Sequence, residues 1–384
     1  MADIQVVPAP PVPWRPGAGT GVHLEPSLTM SEQTTARPPR KQRATLREVA
    51  QLANVHTSTV SRALSVKTRS MVNPNTVERV MAAAAYLGYR PNAIARGLRT
   101  SRSHSIGVLV PDLLNPVVPP IVQGLEARLV EAGYLVLLGN ADHSPAREQA
   151  LADAMQIQQV EGLIAFTATE DDQALDSLIE AGVPVVLVNR TVPDGSISAA
   201  VPDDHMCASL AVEHLVGLGH TSIAHVAGPQ ATSTGFRRRE GFEAAIQEAG
   251  LPRSLELIVP ADRYTEEEGA RCCRELLSSG IPFTAIVAAN DMLAVGCYDA
   301  LAESGQACPD DISVVGCNDM PFTDRFDPPL TTVNIAHRDL GSAAAELLLE
   351  LIHDPELPPR QIIVTPALVV RGSTAPPRRS RRRW

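Results

Sequence analysis

The chain of 384 residues is too long for one ordinary hydrophobic core and long enough for two or three domains. Its hydrophobic content of 44% is typical of a globular protein, and no uncharged apolar run reaches the roughly 18 residues that a membrane helix needs. The first residues lack an apolar stretch behind a basic start, and the six cysteines include no CxxC pair, so we expect a cytoplasmic protein with reduced thiols.

The formal net charge of −10 conceals a strong segregation of charge along the chain. Residues 41–104 carry eleven Lys and Arg against two acids, a net charge of +9, whereas residues 105–370 have a net charge of −25. Residues 371–384 add six arginines. A small cationic segment on an anionic body is typical of a protein that contacts a polyanion with one end, because each neutralised phosphate releases condensed counterions. The charge pattern therefore favours a nucleic acid as partner.

In chain order, residues 1–43 come first, and we expect them to be disordered because they are rich in Pro, Ala, Gly, Ser and Thr without periodicity. Residues 44–90 have a helical pattern with two short breaks, which predicts three short helices. Asn54 lies at the first break, where a sharp turn needs a positive φ. Asn73 before Pro74 predicts the start of the third helix, and Gly88 predicts its end.

The first two predicted helices have the features of a helix-turn-helix. Six apolar residues can converge in one small core: Val49, Ala50, Leu52, Val55, Val60 and Leu64. The second helix then presents Thr57, Ser58, Ser61 and Arg62 outward. An Arg can hold guanine with two hydrogen bonds while Ser and Thr adapt to bases or phosphates, so this surface suits the DNA major groove. By periodicity alone, an ordinary surface pair of helices fits the segment equally well.

From residue 105 onward, short apolar runs alternate with helical stretches of about a dozen residues, which is typical of βαβ units on a parallel sheet. The predicted strands include Ile106–Val110, Leu135–Leu138, Gly162–Phe166, Pro184–Val188, Ile223–Ala227, Leu255–Val259, Ala285–Ala288 and Ile312–Gly316. Each is apolar throughout, so we expect these strands to be buried on both faces of their sheet. So many units exceed a single sheet, and we expect two doubly wound lobes with a ligand cleft between them. The predicted fold class is α/β, with a small all-α helix-turn-helix head.

The head resembles that of the lactose-repressor (LacI/GalR) family of transcription regulators. The resemblance lies in Val-Ser-Arg-Ala-Leu at 60–64, Val-Asn-Pro-Asn at 72–75 and Leu-Gly-Tyr-Arg-Pro-Asn at 87–92. It implies that residues 91–104 form a hinge helix and linker, and that Leu98 is the apolar wedge that opens a base step in the minor groove. The implied DNA contacts are Thr45, Thr57, Ser58, Thr59, Ser61, Arg62, Asn73, Tyr89, Asn92, Ala95, Leu98 and Arg99.

One position in the head departs from the family pattern. His56 replaces the Ser that usually caps the recognition helix, so Thr57 could take over the cap and leave Ser58, Ser61 and Arg62 as the residues that read bases.

Residues 105–373 resemble the family's periplasmic-binding-protein-like core through motifs such as Pro-Asp-Leu-Leu-Asn-Pro at 111–116 and Gly-Cys-Asn-Asp at 316–319. The implied effector contacts are Asn115, Phe166, Asn189, Phe236, Arg238, Asn290 and Asn318. Amides and a guanidinium suit the hydroxyls of a sugar or polyol. Two alternatives stay open: each polar residue could cap a loop, and the run Arg237–Arg239 could favour an anionic effector.

Other classes of function find little support in the sequence. It has no Walker A loop, GxGxxG, HExxH or GxSxG motif, so neither catalysis nor a cofactor is expected. His214, His220 and His225 lack the spacing of metal ligands and are interpreted as caps or surface residues, so no metal is expected. An exported sugar-binding protein would lack the cationic head. The sequence therefore predicts a homodimeric repressor that binds double-stranded operator DNA and is controlled by a small-molecule effector. Residues 374–384 are expected to form a basic, disordered tail.

Overall fold

The computed structural model describes residues 44–65, 68–89, 102–167 and 172–378. The chain divides into two compact units, Met1–Pro91 and Asn92–Trp384. Within the described ranges, no helix is both long enough and apolar enough to cross a membrane.

The first unit is built on helices α1 (Leu46–Leu52), α2 (Thr57–Leu64) and α3 (Pro74–Leu87), which confirms the three predicted helices. Its core is made of small apolar side chains: Val49, Ala50, Ala53, Val60, Ala63, Val80, Ala83 and Ala84. The expectation that Leu52 joins this core is wrong, because its side chain is 51% exposed. The buried stripe of α1 runs through Val49, Ala50 and Ala53, and Leu52 falls to one side of it.

Short-range hydrogen bonds fix the ends of these helices. Thr45 caps α1, since its hydroxyl accepts from the Glu48 amide at 3.4 Å and its own amide donates to the Glu48 carboxylate at 2.6 Å. Asn54 has the predicted positive φ, 50°, at the turn between α1 and α2. Asn73 caps α3 by accepting from the Asn75 amide at 3.0 Å, and Gly88 ends the helix at φ 62°.

In the second unit, a parallel six-stranded sheet forms what we call lobe A. Its strands are β1 (Ser105–Val110), β2 (Leu135–Asn140), β3 (Leu163–Ala165), β4 (Val185–Val188), β5 (Ser198–Pro202) and β11 (Gln361–Val364), in the order β11-β5-β4-β3-β1-β2. Helices α4 (Val118–Glu131) and α11 (His337–His353) pack against each other on one face, and α5 (Pro145–Ile157) and α6 (Gln173–Glu180) cover the other.

A second six-stranded sheet forms lobe B. Its strands are β6 (Ile223–Ala227), β7 (Ile258–Pro260), β8 (Ala285–Ala288), β9 (Ser313–Asn318), β10 (Thr331–Asn334) and β12 (Ala367–Val369), in the order β12-β10-β9-β8-β6-β7. Only the pairing of β12 with β10 is antiparallel among those described. The helices of lobe B are α7 (Asp204–Gly217), α8 (Ser233–Glu248), α9 (Glu266–Ser278) and α10 (Asp291–Glu303).

Two predicted strands need correction. Residues Leu255–Leu257 form a 3-10 turn, and strand β7 begins only at Ile258. The strand at 135–138 is not buried on both faces: β2 lies at the edge of its sheet, and Leu135 and Leu138 are 62% and 45% exposed. All six cysteines are free thiols, and all but Cys308 are buried.

The described chain passes between the lobes at three places: from β5 to α7, from β10 to α11, and from β11 to β12. The first two passages leave from the carboxyl ends of strands, so these ends of the two sheets adjoin one another. One cluster of buried apolar side chains continues from lobe A into lobe B. The strand ends therefore border a cleft, as the sequence predicts for an open α/β protein of this kind.

Candidate functional site

Helix α2 carries the exposed polar surface of the head. Ser58 and Arg62 are exposed, and Thr57, Thr59 and Ser61 are half-buried on the same helix. Arg62 forms no ion pair with a described residue, so its guanidinium is available to an outside partner. Such an unpaired Arg on a helix with short hydroxyl side chains can donate to base edges or phosphates.

The cap of α2 differs from the expectation for Thr57. His56 itself is the N-cap, because its Nδ1 accepts from the Ser58 amide at 3.3 Å, and Thr57 is already the first helical residue. Nδ1 also lies 2.8 Å from the Ser58 hydroxyl. The idea that Thr57 caps this helix is therefore wrong, since the imidazole supplies the acceptor that the family's Ser would have supplied.

The remaining predicted contacts of the head fall into three groups. Thr45 and Asn73 cap helices, so their side chains already have partners within the head. Tyr89 packs against the core of the head, and burial raises the pKa of its hydroxyl. Asn92, Ala95, Leu98 and Arg99 lie outside the described residues.

On the lobe A side of the cleft, Asn189 follows strand β4 directly. It has a positive φ of 65°, and its side chain is turned so that the buried Oδ1 accepts no hydrogen bond from the described chain. A buried acceptor without a donor costs free energy on the order of 1–3 kcal/mol. A bound hydroxyl or amide could recover that cost.

On the lobe B side, two predicted asparagines lie at strand ends, and Arg238 reaches one of these ends from a helix. Asn290 follows β8 and caps α10, its Oδ1 accepting from the Leu293 amide at 2.9 Å. Asn318 is the last residue of β9, 6% exposed, with a φ of 108°. Arg238 on α8 is 3% exposed, and its Nη1 donates to the Ala289 carbonyl, which adjoins Asn290, at 2.6 Å. The structure thus brings Arg238 to the same strand end as Asn290.

Comparison with known proteins agrees with this two-part organisation. Residues 45–92 match the family described as bacterial regulatory proteins, lacI family, and residues 212–374 match the periplasmic binding protein-like domain. The ribose operon repressor of Escherichia coli (strain K12) is 33% identical over 332 residues, which cover 86% of this chain and 99% of that protein. The chain belongs to the lacI family. This lacI-family chain is therefore a DNA-binding transcription regulator whose affinity for DNA is controlled by a small-molecule effector.

Other relatives and solved structures extend the likeness of this regulator. The transcriptional repressor PurR of Haemophilus influenzae (strain PittEE) is 32% identical, over 86% of this chain and 98% of that protein. A lac repressor dimer bound to operator and an anti-inducer has a TM-score of 0.76 and 30% identity, and 87% of this chain and all of that chain are covered. A lacI-family regulator from Enterococcus faecium with bound ribose has a TM-score of 0.63 and 31% identity, covering 71% of this chain and all of that chain.

In this lacI-family chain, Arg238 is held by a buried ion pair. Its Nε donates to Asp204 Oδ1 at 2.7 Å, and both side chains are 4% exposed. Burial raises the pKa of Asp204, and the guanidinium of Arg238 opposes that rise. The Nη2 of Arg238 makes no hydrogen bond to the described chain, so this one nitrogen can still donate to a ligand. Neighbouring Arg239 is paired with Glu243 at 2.8 Å, so two of the three consecutive arginines are already neutralised.

The predicted aromatic residues and Asn115 differ in accessibility. Phe166 is 3% exposed and lies in the apolar core, whereas Phe236 is 50% exposed. Phe236 lines a cavity of about 480 Å³ between the lobes, with Thr191 and Pro193 of lobe A on the opposite side. Asn115 is half-buried, and its Oδ1 accepts from the Val117 amide at 3.2 Å.

Two residues at the cleft escaped the sequence analysis. Arg190 follows Asn189, and no described carboxylate lies in ion-pair distance of its guanidinium. Tyr264 follows β7 in lobe B, and its hydroxyl lies 3.0 Å from the Thr234 hydroxyl. Burial lowers the pKa of Arg190, and Tyr264 is close enough to oppose that shift. The available signal for Arg190 was its place next to Asn189, a contact that the family resemblance implies, at the end of a strand. Tyr264 lies in the loop after β7 and had no such signal.

The interpretation of the three histidines as caps or surface residues is wrong for two of them. His220 is 1% exposed, His225 is fully buried, and neither caps a described helix, whereas His214 is half-buried. His225 stacks on Phe242 at a centroid distance of 4.5 Å and donates from Nδ1 to the Val287 carbonyl at 2.8 Å. Among the described residues, no group of three or more His, Cys, Asp or Glu side chains could hold a metal ion.

The last described residues are bonded to lobe B. His214 lies 2.9 Å from the Thr374 hydroxyl, and His220 Nε2 lies 2.9 Å from the Ala375 carbonyl. Ser313 and Ala375 exchange two further hydrogen bonds, both of 3.1 Å. Thr374 and Ala375, which the sequence analysis assigns to the tail, are therefore attached to the sheet of lobe B through β9 and α7.

Proposed function

We propose that this regulator is a homodimeric repressor that grips a pseudo-palindromic operator and responds to a sugar or related polyol bound between lobes A and B. One observation carries the proposal: a single chain joins a helix that exposes an unpaired Arg62 to a two-lobed core whose strand ends hold amides and guanidinium groups. Each half supplies one of the two activities that a ligand-controlled repressor needs.

On the DNA side, we assign base reading to Ser58, Ser61 and Arg62. Exposure of Ser58 and Arg62 supports the assignment, and the His56 cap orients the first turn of their helix. Thr57 and Thr59, half-buried on the same helix, are assigned to phosphates or base edges together with the helix caps Thr45 and Asn73 and the half-buried Tyr89. The wedge role of Leu98, with Asn92, Ala95 and Arg99 beside it, rests on the family resemblance.

On the effector side, the chemistry of the cleft supports a polyhydroxylated ligand. Asn189, Asn290 and Asn318 are neutral amides, and the charge of Arg238 is already balanced by Asp204. Neutral donors and acceptors suit hydroxyl groups better than they suit a phosphate. The relatives point the same way, since one is named a ribose operon repressor and two neighbouring structures contain ribose and cellobiose.

Control of DNA binding would follow from the relative position of the lobes. A sugar that contacts both sides of the cleft binds one arrangement of the lobes more tightly and shifts the population toward it. Residues 91–104 join the lobes to the head, so a change in the core would alter the spacing of the two heads of a dimer. We place this activity in the cytoplasm, where operator DNA is accessible, and we assign the chain no catalytic reaction, in keeping with relatives that are transcriptional repressors.

The experiment that tests this function starts with the purified full-length chain and fragments of its source genome. Sequencing the fragments that it retains should reveal a site with approximate two-fold symmetry. A gel-shift assay on that site is then repeated with D-ribose, D-glucose and cellobiose, and we expect at least one sugar to change the operator affinity. Retention of fragments without a shared sequence, or an affinity that no sugar changes, would contradict the proposal.

A further inference from the structure

A cavity of about 510 Å³ lies within lobe A, apart from the cavity that Phe236 lines. All residues around it fall between Pro111 and Arg190, so lobe A alone forms its wall. Its polar lining includes Glu148 in the first turn of α5, Thr167 after β3, Asp172 directly before α6 and Arg190 after β4. The residues that the family resemblance selects for effector binding do not include any of these.

Two of these side chains hold buried oxygen atoms without a donor. Glu148 Oε1 and Thr167 Oγ1 are both inaccessible to solvent and accept no hydrogen bond from the described chain. Burial raises the pKa of Glu148, and the neighbouring carboxylate of Asp172 adds to this rise. The Thr167 hydroxyl and the charge of Arg190 oppose the rise, although no hydrogen bond of ordinary length joins Glu148 and Thr167. A buried carboxylate oxygen left in this state is unfavourable unless a donor arrives from outside the chain.

Arg190 provides the complementary group at the same cavity. Its guanidinium forms no ion pair with a described residue, although the charge of Glu148 is close enough to raise its pKa against the effect of burial. Tyr264, which belongs to lobe B, acts on Arg190 in the same direction. Arg190 therefore lies where the lobe A cavity meets the boundary with lobe B, within reach of a ligand held between the lobes.

The groups at this cavity discriminate between classes of ligand. A phosphate offers only acceptors and negative charge, which the Glu148 carboxylate cannot complement. An ammonium group offers only donors, so it cannot accept a hydrogen bond from the Arg190 guanidinium. A pair of adjacent hydroxyls offers both, since one hydroxyl can donate to the carboxylate while its neighbour accepts from the guanidinium.

We propose that Glu148 is a specificity-determining residue of the effector site, where its carboxylate and the Arg190 guanidinium bind two neighbouring hydroxyls of a neutral sugar and Thr167 accepts from one of them. This inference rests on the proposed function, because it requires a sugar effector. It adds a recognition site in lobe A that selects sugars by a specific pair of hydroxyls.

The test uses the full chain bound to its operator fragment, with the sugar concentration at half-maximal change in DNA binding as the readout. D-ribose, D-glucose and cellobiose are the first probes, and the sugar that acts is then compared with its monodeoxy analogues. Wild type should discriminate against at least one analogue by about tenfold, which corresponds to the loss of roughly 1.4 kcal/mol. Glu148→Gln should raise the midpoint for the parent sugar by about tenfold and should abolish most of the discrimination.

Glu180→Gln is the matched control, since it makes the same chemical change at an exposed position on α6. It should leave both the midpoint and the discrimination as in wild type. Thermal melting checks that each variant folds. If Glu148→Gln no longer melts cooperatively, Thr167→Val provides an independent variant that lacks one acceptor. Thr167→Val should also raise the sugar concentration at half-maximal change in DNA binding.

The outcomes separate this inference from the proposed function. If wild type responds to a sugar but both cavity variants keep its midpoint and its discrimination between analogues, the role of Glu148 is overturned and the proposed function stands. If wild type responds to none of the three sugars, the sugar assignment itself fails and the inference fails with it.

Discussion

Replacing Arg238 by Met should destabilise the core far more than an ordinary change at a ligand-binding position. The substitution keeps an apolar stem but removes the guanidinium that pairs with Asp204 at 2.7 Å, in a place where both side chains are 4% exposed. It also removes the donor to the Ala289 carbonyl. Leaving one partner of a buried ion pair uncompensated costs about 3–5 kcal/mol.

For a core of this size, each kcal/mol lowers the melting temperature by roughly 2–4 °C, so we expect a decrease of about 10 °C. The assay is thermal unfolding followed by circular dichroism or calorimetry at neutral pH. The double variant Arg238→Met with Asp204→Leu is the control, because it removes both charges and should recover most of the loss. A melting temperature for Arg238→Met within about 2 °C of wild type would refute the buried ion pair.

Two further predictions concern the head and the core. Arg62→Lys keeps the charge but loses the two-pronged guanidinium, so it should reduce the preference for operator over unrelated DNA by about 10- to 100-fold, measured by fluorescence anisotropy; an unchanged preference would remove Arg62 from base reading. For His225, burial lowers the pKa to about 4, so the unfolded chain takes up the proton first and stability is lost as the pH falls from 6.5 toward 4. Between pH 7 and 5 the loss in the free energy of unfolding amounts to about 2 kcal/mol. In urea unfolding, His225→Leu should therefore lose about 2 kcal/mol less than wild type over that range. Equal pH dependence in the two proteins would contradict the lowered pKa of His225.

The sequence predicted the architecture where local pattern and burial coincide. Strands such as β1 and β4 are continuously apolar because both faces of their sheet are covered, and that pattern is visible without a structure. β11 and β12 were missed because they are short and partly exposed. β5 was missed because Ser-Ala-Ala-Val-Pro has little strand propensity, and part of its burial comes from β11 and α11, which are distant in sequence.

The candidate site was predicted less completely, for a physical reason. The family resemblance selected Asn189, Asn290 and Arg238, but no local pattern reveals that Arg238 is paired with Asp204, 34 residues earlier in the chain. The same holds for Glu148 and Arg190. They line one cavity only because α5 packs on the sheet that contains β4. Helix caps are the opposite case: Asn73 and Pro74 fix the start of α3 by contacts within a few residues, so the sequence is sufficient.

The most direct test of the account is the affinity of the purified chain for its operator and for a scrambled duplex, measured between 50 and 200 mM salt with and without the active sugar. We predict that binding to both duplexes weakens steeply as the salt concentration rises, because the cationic head releases counterions from the phosphates. The operator should stay preferred at every salt concentration, and the sugar should change this preference. An affinity that depends on neither the salt concentration, the DNA sequence nor the sugar would contradict a DNA-reading head that is controlled by a ligand-binding core.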